Sequence, residues 1–293
     1  MPVNDDATLV DPTGESNEGD TPGETVPEDV DADEALPVNE LFCSLQGEGT
    51  LVGTPSVFVR TSGCNLRCWF CDSYHTSWEP TGAWLSVDDV VERVEEFGVP
   101  ETTGGAGASQ SAERSGAAGH VVLTGGEPLV HEASVDLLDR LADRGYHTTV
   151  ETNGTIHRDA AIDLASVSPK LASSTPTPEN APEGVDPGVW EQRHEDRRID
   201  HDALTRLVED YETQLKFVVT GPDDVPEIEA LVEELRERAS VPIPNDRVLL
   251  MPEGVTREQV DETRNTVADL ALEHGYRYTP RLHVDLWNDA PGT

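Results

Sequence analysis

Hydrophobic residues along the chain alternate between short apolar runs and longer amphipathic stretches. The short runs are rich in Val, Leu, Phe and Thr, which is typical of strands buried in a sheet. They lie at 57–60, 121–124, 148–152, 215–220 and 247–251. The amphipathic stretches have apolar residues at helical spacing, and they lie at 86–98, 133–145, 224–239 and 256–275. Predicted strands and helices therefore alternate along the sequence.

The ends of the amphipathic stretches carry residues that start and stop helices. Ser86 and Thr256 precede acidic first turns and are natural N-caps. Gly98, Gly145 and Gly275 stand where a helix ends with a positive φ. Strand and helix alternation predicts an α/β fold with a parallel sheet, and the chain is too short for eight full units of a closed barrel. We therefore expect an incomplete TIM-like barrel, with its functional residues at the C-terminal ends of the strands.

Three segments lack this periodicity. Residues 1–37 are rich in Asp, Glu, Pro, Gly and Thr, which predicts a disordered acidic tail. Small residues in 100–119, and prolines with acids in 173–200, predict two loop insertions, the second an irregular excursion. The remaining chain, 38–293, is expected to fold as one domain, because little apolar material is left for a second core.

The chain is strongly acidic, since 58 Asp and Glu against 20 Lys and Arg give a formal net charge of -38. Its only lysines are Lys170 and Lys216. A surface of carboxylates should repel nucleic acid and anionic lipid, so we expect neither as a partner. Arginine in place of lysine on such a surface fits a halophilic cytoplasm, where salt screens the self-repulsion. An acidic protein without salt adaptation is the alternative.

The sequence indicates a cytoplasmic protein with a metal site. No run approaches the roughly 18 apolar residues of a membrane span, and the N-terminus lacks the basic and then apolar layout of a signal peptide. Of its four cysteines, three lie within eight positions. This spacing makes a poor disulfide framework and favours metal binding.

Cys64, Cys68 and Cys71 form a C-x3-C-x2-C motif directly after the first predicted strand. Three thiolates on one tight loop can bind three irons of a 4Fe-4S cluster and leave the fourth iron open. S-adenosylmethionine needs an open iron, because its amino and carboxylate groups chelate the metal. A zinc site completed by His75 is the alternative. Cys43 lies outside the motif and is expected to be a small buried residue.

The chain resembles the radical S-adenosylmethionine (SAM) superfamily beyond these cysteines. The segments TGGEP (124–128), ETNGT (151–155) and SPK (168–170) each follow a strand-like run. In the superfamily such strand ends face the cofactor, and glycine lets the backbone approach the methionine amino group. The resemblance implies a partial TIM-like barrel of the radical SAM type that binds a 4Fe-4S cluster and SAM. The cofactor-binding residues that it implies are Phe70, Cys71, Asp72, Gly126, Glu127, Asn153, Ser168, Pro169 and Lys170.

Within that superfamily, the chain is similar to the 7-carboxy-7-deazaguanine synthases. It has their Q-G-E-G motif at 46–49, an Arg shortly before the first cysteine, C-D-[ST] at 71–73, and a segment at 281–287 that resembles their closing R-L-H-x-x-L-W. The resemblance implies a radical SAM lyase that converts 6-carboxy-5,6,7,8-tetrahydropterin to 7-carboxy-7-deazaguanine and releases ammonia, on the route to the archaeosine and queuosine bases of tRNA. The substrate-binding residues that it implies are Leu45, Gln46, Gly47, Glu48, Arg60, Thr124 and His283.

The same resemblance implies a magnesium ion, an electron donor and an assembly. The family binds Mg²⁺ through a hydroxyl just after the third cysteine, and Ser73 matches that position; a turn-capping hydroxyl is the alternative. A flavodoxin or ferredoxin would supply electrons, and the protein would be a homodimer.

Two other functions fit part of the sequence. A glycyl-radical activase of the same superfamily explains the cysteines but not Q-G-E-G, Arg60 or the R-L-H segment. A zinc-bearing interaction module explains the cysteines and the acidic surface, but leaves TGGEP and SPK without a role.

Overall fold

The computed structural model describes residues 31–97, 119–288 and 290. The strands in these ranges are β1 (Ala35–Leu45), β2 (Pro55–Thr61), β3 (Ala83–Ser86), β4 (His120–Gly125), β5 (His147–Thr152), β6 (Leu164–Val167), β7 (Thr213–Val219), β8 (Val248–Pro252) and β9 (Arg277–Tyr278). The helices are α1 (Tyr74–Ser77), α2 (Val87–Glu95), α3 (Ala133–Asp143), α4 (Trp190–Arg197), α5 (His201–Asp210), α6 (Val225–Arg238), α7 (Arg257–His274) and α8 (Leu282–Trp287).

The strands form one sheet in the order β3-β1-β2-β4-β5-β6-β7-β8-β9. All pairs from β2 to β9 are parallel, whereas β1 pairs antiparallel with both β2 and β3. Parallel neighbours need crossover connections, and helices such as α3, α6 and α7 supply them. Their apolar faces pack on the sheet in one continuous core of Leu and Val side chains. Among the described helices, none is long and apolar enough to cross a membrane.

The hydrophobic pattern predicts most of the parallel part of this fold correctly. The five predicted strands correspond to β2, β4, β5, β7 and β8, and the four predicted helices to α2, α3, α6 and α7. Ser86 caps α2 through its side chain, and Thr256 forms a capping box at the start of α7. Gly145 and Gly275 have φ angles of 84° and 67°. Gly98 lies outside the described residues.

The sheet curves into an incomplete barrel, as the sequence predicts. Its order is linear, so the edge strands β3 and β9 do not pair with each other. The loop between β1 and β2 (46–54) nevertheless extends from β2 to β7 and to the residue after β9. The Gly49 amide donates to Thr279 Oγ1 at 2.7 Å, and the Thr50 amide donates to Gln214 Oε1 of β7 at 2.8 Å. This loop begins beside the N-terminal end of β2, and it contacts β7 near that strand's own N-terminal end and the residue that follows β9.

The structure corrects two expectations about the weak segments. β1 begins at Ala35, so residues 35–37 of the predicted tail belong to the sheet, because Leu36 is fully buried against the core. The predicted excursion at 173–200 is not irregular throughout: it contains α4, whose His194 is 0% exposed. Most of the predicted tail and nearly all of the insertion at 100–119 lie outside the described residues.

Candidate active site

A cavity of about 600 Å³ opens where the parallel strands end. Inward-pointing residues of β4 to β7 form its floor, because alternate residues of a barrel strand face the interior; they are Thr124, Glu151, Ser166 and Lys216. The predicted residues that line it are Leu45, Gln46, Gly47, Glu48, Arg60, Cys64, Cys68, Phe70, Cys71, Asp72, Ser73, Thr124, Gly126, Asn153, Ser168, Lys170 and His283. Glu127 and Pro169 are buried outside this lining. The binding roles of all these residues remain predictions.

The three cysteines of the motif are free thiols on the wall of this cavity. Burial raises the pKa of Cys64 to about 12, although the nearby charge of Arg67 opposes this rise. Burial likewise raises the pKa of Cys68 and Cys71, and the three sulfurs repel one another electrostatically. Because burial makes all three thiols costly to ionise, they match a site in which iron supplies the compensating positive charge.

The donor set fits an iron–sulfur cluster. Within the described ranges, no three His, Cys, Asp or Glu side chains converge tightly enough to hold a single metal ion. A cubane distributes three thiolates over three different irons, so its ligands surround a volume and do not meet at one point. The sulfurs also have hydrogen-bond donors, because Ser77 Oγ donates to Cys71 Sγ at 3.2 Å and the Leu66 amide donates to Cys64 Sγ at 3.4 Å. Cys43, expected to be buried, is exposed on β1 and does not line the cavity.

The glycines of TGGEP lie against the cysteine loop. A Cβ atom on Gly126 would lie 1.9 Å from the carbonyl oxygen of Gly63, directly before the first cysteine. The Glu127 amide donates to that same oxygen at 2.8 Å. Gly125 has a φ of 125°, which other residues rarely adopt. Glycine is therefore required here because the backbone of the cysteine loop packs directly against it. The sequence-based prediction explains these glycines only by the approach of the cofactor.

Glu127 is buried behind this wall. Its carboxylate accepts hydrogen bonds from the amides of Leu129 and Asn153 and from Thr152 Oγ1, at 2.6 to 3.1 Å. Burial raises the pKa of Glu127 to about 7, although these three donors oppose the rise. The side chain consequently ties the end of β4 to the end of β5.

The other predicted cofactor-binding residues follow β5 and β6. Asn153 Nδ2 donates to Asn65 Oδ1 of the cysteine loop at 2.9 Å, and Lys170 Nζ donates to Ser168 Oγ at 2.8 Å. An ammonium, a hydroxyl and an amide thus lie on the wall that carries the cysteines. These groups suit a ligand with both carboxylate and amino functions.

The opposite wall of the cavity contains buried, paired charges around Glu48. Lys216 Nζ lies 2.5 Å from Glu48 Oε2, and Arg281 Nε lies 3.1 Å from Glu48 Oε1. Burial alone would raise the pKa of Glu48, but the charges of Lys216 and Arg281 outweigh it and hold that pKa well below its usual range. Arg281 also pairs with Asp72 and donates to the Gly254 carbonyl. Glu48 is therefore a fixed carboxylate.

Glu151 extends the same network across the floor. Gln46 Nε2 donates to its Oε1 at 3.2 Å, and Thr124 Oγ1 donates to its Oε2 at 2.8 Å. Lys216 Nζ lies 3.8 Å from the same carboxylate. The ammonium of Lys216 consequently sits between two carboxylates, and both raise its pKa against the effect of burial.

Arg60 connects the strand before the cysteine loop to the residue after it. Its Nη1 donates to Ser73 Oγ at 3.0 Å, its Nε lies 3.4 Å from Glu40 Oε2, and its guanidinium carbon lies 5.4 Å from the centre of the Phe42 ring. Ser73 Oγ in turn donates to Asp72 Oδ1 at 3.2 Å. Arg60 and Ser73, predicted to bind the substrate and Mg²⁺ respectively, are thus in direct contact.

Four acidic or basic side chains of this site were absent from the predicted set: Glu40, Glu151, Lys216 and Arg281. One signal could have found Lys216, because a buried lysine in a chain that otherwise uses arginine needs a reason. Arg281 opens the segment that resembles the family's R-L-H, and Glu151 opens ETNGT. Both therefore lay inside recognised motifs without being assigned a role.

Comparisons with known proteins agree with this geometry. A model described as the radical SAM superfamily matches residues 58–171. The 7-carboxy-7-deazaguanine synthase of Halobacterium salinarum is 65% identical over 88% of this chain and 93% of its own length. The enzymes of that name from Rhodopirellula baltica and Pyrobaculum aerophilum are 40% and 33% identical, over 91% and 87% of this chain and 93% and 96% of theirs.

A solved structure supports the fold in particular. The crystal structure of QueE from Escherichia coli is 23% identical and matches with a TM-score of 0.57 over 85% of this chain and 95% of that chain. The curated relatives carry the assignment further, because their identity extends over nearly the whole length of both proteins. The chain belongs to the 7-carboxy-7-deazaguanine synthase family, a family of radical SAM lyases that use a 4Fe-4S cluster and SAM.

Proposed function

We propose that this protein converts 6-carboxy-5,6,7,8-tetrahydropterin to 7-carboxy-7-deazaguanine with release of ammonia. One observation carries the proposal: a single cavity joins the cysteine loop to a wall of fixed, paired charges. A polar heterocycle needs such a wall, because buried donors and acceptors discriminate strongly against ligands that leave them unpaired.

The cysteine wall would hold the cofactors. When bound, the cluster and SAM supply the one-electron chemistry that removes a hydrogen atom from the substrate. Cys64, Cys68 and Cys71 would bind the irons, and the Lys170 ammonium, which donates to Ser168, would attract the carboxylate of the methionine moiety. Burial of this wall keeps water from the reacting atoms.

The charged wall would orient the pterin. Its amino-pyrimidinone edge presents N–H donors, and Glu48 and Glu151 offer carboxylate acceptors whose orientation Lys216 fixes. Burial lowers the pKa of His283, with Glu48 opposing, so the ring is neutral and can donate from one nitrogen while it accepts at the other. A neutral imidazole can therefore contact either polar edge of the substrate.

Arg60 and Ser73 would recognise the substrate carboxylate together. Arg60 can grip a carboxylate with two parallel hydrogen bonds, and in doing so it would release Ser73 Oγ, to which it now donates. The freed hydroxyl would hold Mg²⁺, for which hard oxygen ligands are suited. The ion would neutralise charge on the substrate carboxylate.

The wider context is also part of the proposal. The product belongs to the archaeosine or queuosine route, the electron donor is a flavodoxin or ferredoxin, and the enzyme is a cytoplasmic homodimer that binds no nucleic acid. The net charge of -38 and the relative from Halobacterium salinarum support a halophilic enzyme. Folding and activity should accordingly need molar potassium chloride, which circular dichroism and the activity assay can test. Full stability at low ionic strength would contradict the proposal of a halophilic enzyme.

The decisive experiment is an anaerobic assay of the reconstituted protein with the carboxytetrahydropterin, SAM and a chemical reductant. We expect 7-carboxy-7-deazaguanine by mass spectrometry, together with one ammonia per product. Cys64→Ala is the matched negative control, because it removes a cluster ligand and leaves the charged wall intact. SAM cleavage without turnover of the pterin would reject the proposal and favour an activase.

A further inference from the structure

The segment 173–197 packs against the outer side of the cysteine loop. Helix α4 directs two side chains, one turn apart on the same face, at Arg67 in that loop. The guanidinium carbon of Arg67 lies 4.4 Å from the ring centre of Trp190, and His194 is 0% exposed beneath it. A helix that sequence analysis assigned to an irregular excursion thus forms part of the support for the cluster ligands.

His194 is fully hydrogen-bonded in one tautomer. Its Nδ1 accepts from the Arg67 amide at 3.2 Å, so the ring proton is on Nε2, which faces Ser174 Oγ at 2.8 Å. Ser174 Oγ then donates to the Leu171 carbonyl at 2.6 Å. Burial lowers the pKa of His194 to about 4, and the charge of Lys170 acts in the same direction. The ring is therefore a neutral spacer between two stretches of backbone.

The loop is held on both sides of Cys68. Arg67 precedes it and is bound to His194, whereas Trp69 follows it and donates from its amide to the Ser174 carbonyl and from Nε1 to the Ser173 carbonyl, at 3.2 and 2.7 Å. With both neighbours fixed, the direction of the Cys68 side chain is fixed as well.

Arg67 places a buried positive charge inside the cysteine loop. It is only 3% exposed, and its Nη1 donates to the carbonyls of Cys64 and Leu66 at 2.6 and 2.8 Å. Its charge favours the thiolate form of Cys64. A buried cation beside a cluster ligand also favours the reduced, more negative cluster, because charge and hydrogen bonding set cluster potentials.

We propose that Ser173, Ser174, Trp190 and His194 form a clamp, here named the α4 clamp, that fixes the cysteine loop and holds Arg67 beside the cluster. His194 and Arg67 are positioning residues: His194 secures the retention of iron, and Arg67 raises the reduction potential. The proposal rests on the 4Fe-4S cluster of the family but not on the identity of the pterin, so it can be tested on holoenzyme without substrate.

The first test compares His194→Leu with His120→Leu. His120 is a matched control, because it is also buried and neutral, with a hydrogen-bond partner on each ring nitrogen, here the hydroxyls of Ser56 and Thr149. It lies at the opposite end of β4, away from the cysteine loop. On anaerobically reconstituted holoenzyme, we expect His194→Leu to release iron to a chelator about tenfold faster than wild type. His120→Leu should lower the melting temperature and leave iron release unchanged. Equal acceleration in both variants would overturn the clamp.

Three further variants separate positioning from simple folding. His194→Gln offers an amide that can accept from the Arg67 backbone and donate to Ser174, so it should restore slow iron release. Arg67→Met should shift the midpoint potential of the cluster to a lower value and change the electron paramagnetic resonance spectrum of the reduced state, whereas Arg67→Lys should retain the charge and the potential. A wild-type potential and spectrum in Arg67→Met would overturn the role of Arg67.

Discussion

The pKa values of buried ionisable groups shift in opposite senses in two regions of the site: toward the neutral forms around the cysteine loop, and toward the charged forms on the charged wall. Around the cysteine loop, burial favours the neutral forms: it raises the pKa of Cys64 to about 12 and that of Glu127, behind the wall, to about 7, and it lowers that of His194, on the outer side of the loop, to about 4. On the charged wall, the pKa of Glu48 is lowered and that of Arg281 is raised, although burial opposes both shifts, because each charge faces an opposite one.

This difference indicates what each wall requires to be complete. The charged wall neutralises itself, so it can form before any ligand arrives and present fixed acceptors and donors. On the cysteine wall, the charges of Arg67 and Lys170 only partly offset the cost of ionising three buried thiols, so this wall becomes electrostatically complete only with iron. One wall is organised by the protein alone, and the other by the protein together with its cofactor.

The largest effect should follow from removal of a cluster ligand. We expect Cys64→Ala, Cys68→Ala or Cys71→Ala each to abolish the absorption of the 4Fe-4S cluster near 400 nm and all turnover. Calorimetry should still detect pterin binding if the charged wall forms independently. Cys43→Ala is the control, since Cys43 is exposed outside the cavity, and a Cys43 variant without cluster would refute the assignment.

Loss of Lys216 should disrupt the other wall. Lys216→Met leaves Glu48 and Glu151 with less compensation in a buried site, which should lower the free energy of unfolding by about 3 kcal/mol and reduce kcat/KM at least tenfold. Cluster content should not change. The double variant Lys216→Met with Glu48→Gln removes the charge imbalance and should recover stability but not kcat/KM. Urea unfolding at fixed salt measures the free energy of unfolding. A double variant that is no more stable than Lys216→Met would contradict the charge pairing of Lys216 with Glu48.

Glu127 should make the stability of the cofactor-free protein depend on pH. Its pKa in the folded protein is about 7, above the ordinary 4.5, so ionisation of Glu127 lowers the free energy of unfolding. This loss of stability is absent below pH 4.5, grows as the pH rises, and is complete above pH 7. The full cost is about 3 kcal/mol. Glu127→Gln should lack this slope, whatever its absolute stability. Parallel slopes for both proteins in urea unfolding between pH 4.5 and 7.5 would show that Glu127 ionises freely.

The smallest effect should come from Arg60→Lys, at the edge shared by the two walls. An ammonium cannot reproduce a two-pronged contact with a carboxylate, so we expect KM for the pterin to rise several-fold with little change in cluster content or stability. Arg144→Lys, in a surface ion pair with Glu95, is the control. An unaltered KM would assign the substrate carboxylate to another residue.

The cysteine wall could be predicted from the sequence largely because its parts are local. The motif at 64–71 and the strand ends TGGEP and SPK are short, and each can be recognised from consecutive residues without knowledge of its tertiary contacts. The same applies to the long helices, whose apolar spacing and caps are independent of their neighbours. Helix α4 was missed because it has few apolar residues: what holds it is a buried histidine and a tryptophan stacked on an arginine, not a hydrophobic stripe.

The charged wall was harder to predict, because its pairs join distant parts of the chain. Lys216 lies in an apolar strand pattern and Arg281 lies before a short helix, and neither position indicates that both reach Glu48. Strand β6 was indicated only as the strand-like run before SPK for a related reason, since LASV is short and its pairing with β5 and β7 decides its conformation. Such partners are determined by the curvature of the sheet.

The loop at 46–54 also has a consequence for the order in which the enzyme is made. The segments that contact the cysteine loop, up to His194, leave the ribosome before Lys216 and Arg281, the two cations that pair with Glu48. These cations lie 168 and 233 residues after Glu48 in the sequence. Domains generally fold as units during synthesis. The paired charges around Glu48 can therefore form only after Arg281 has been translated, and by then every ligand and contact of the cysteine loop is already available.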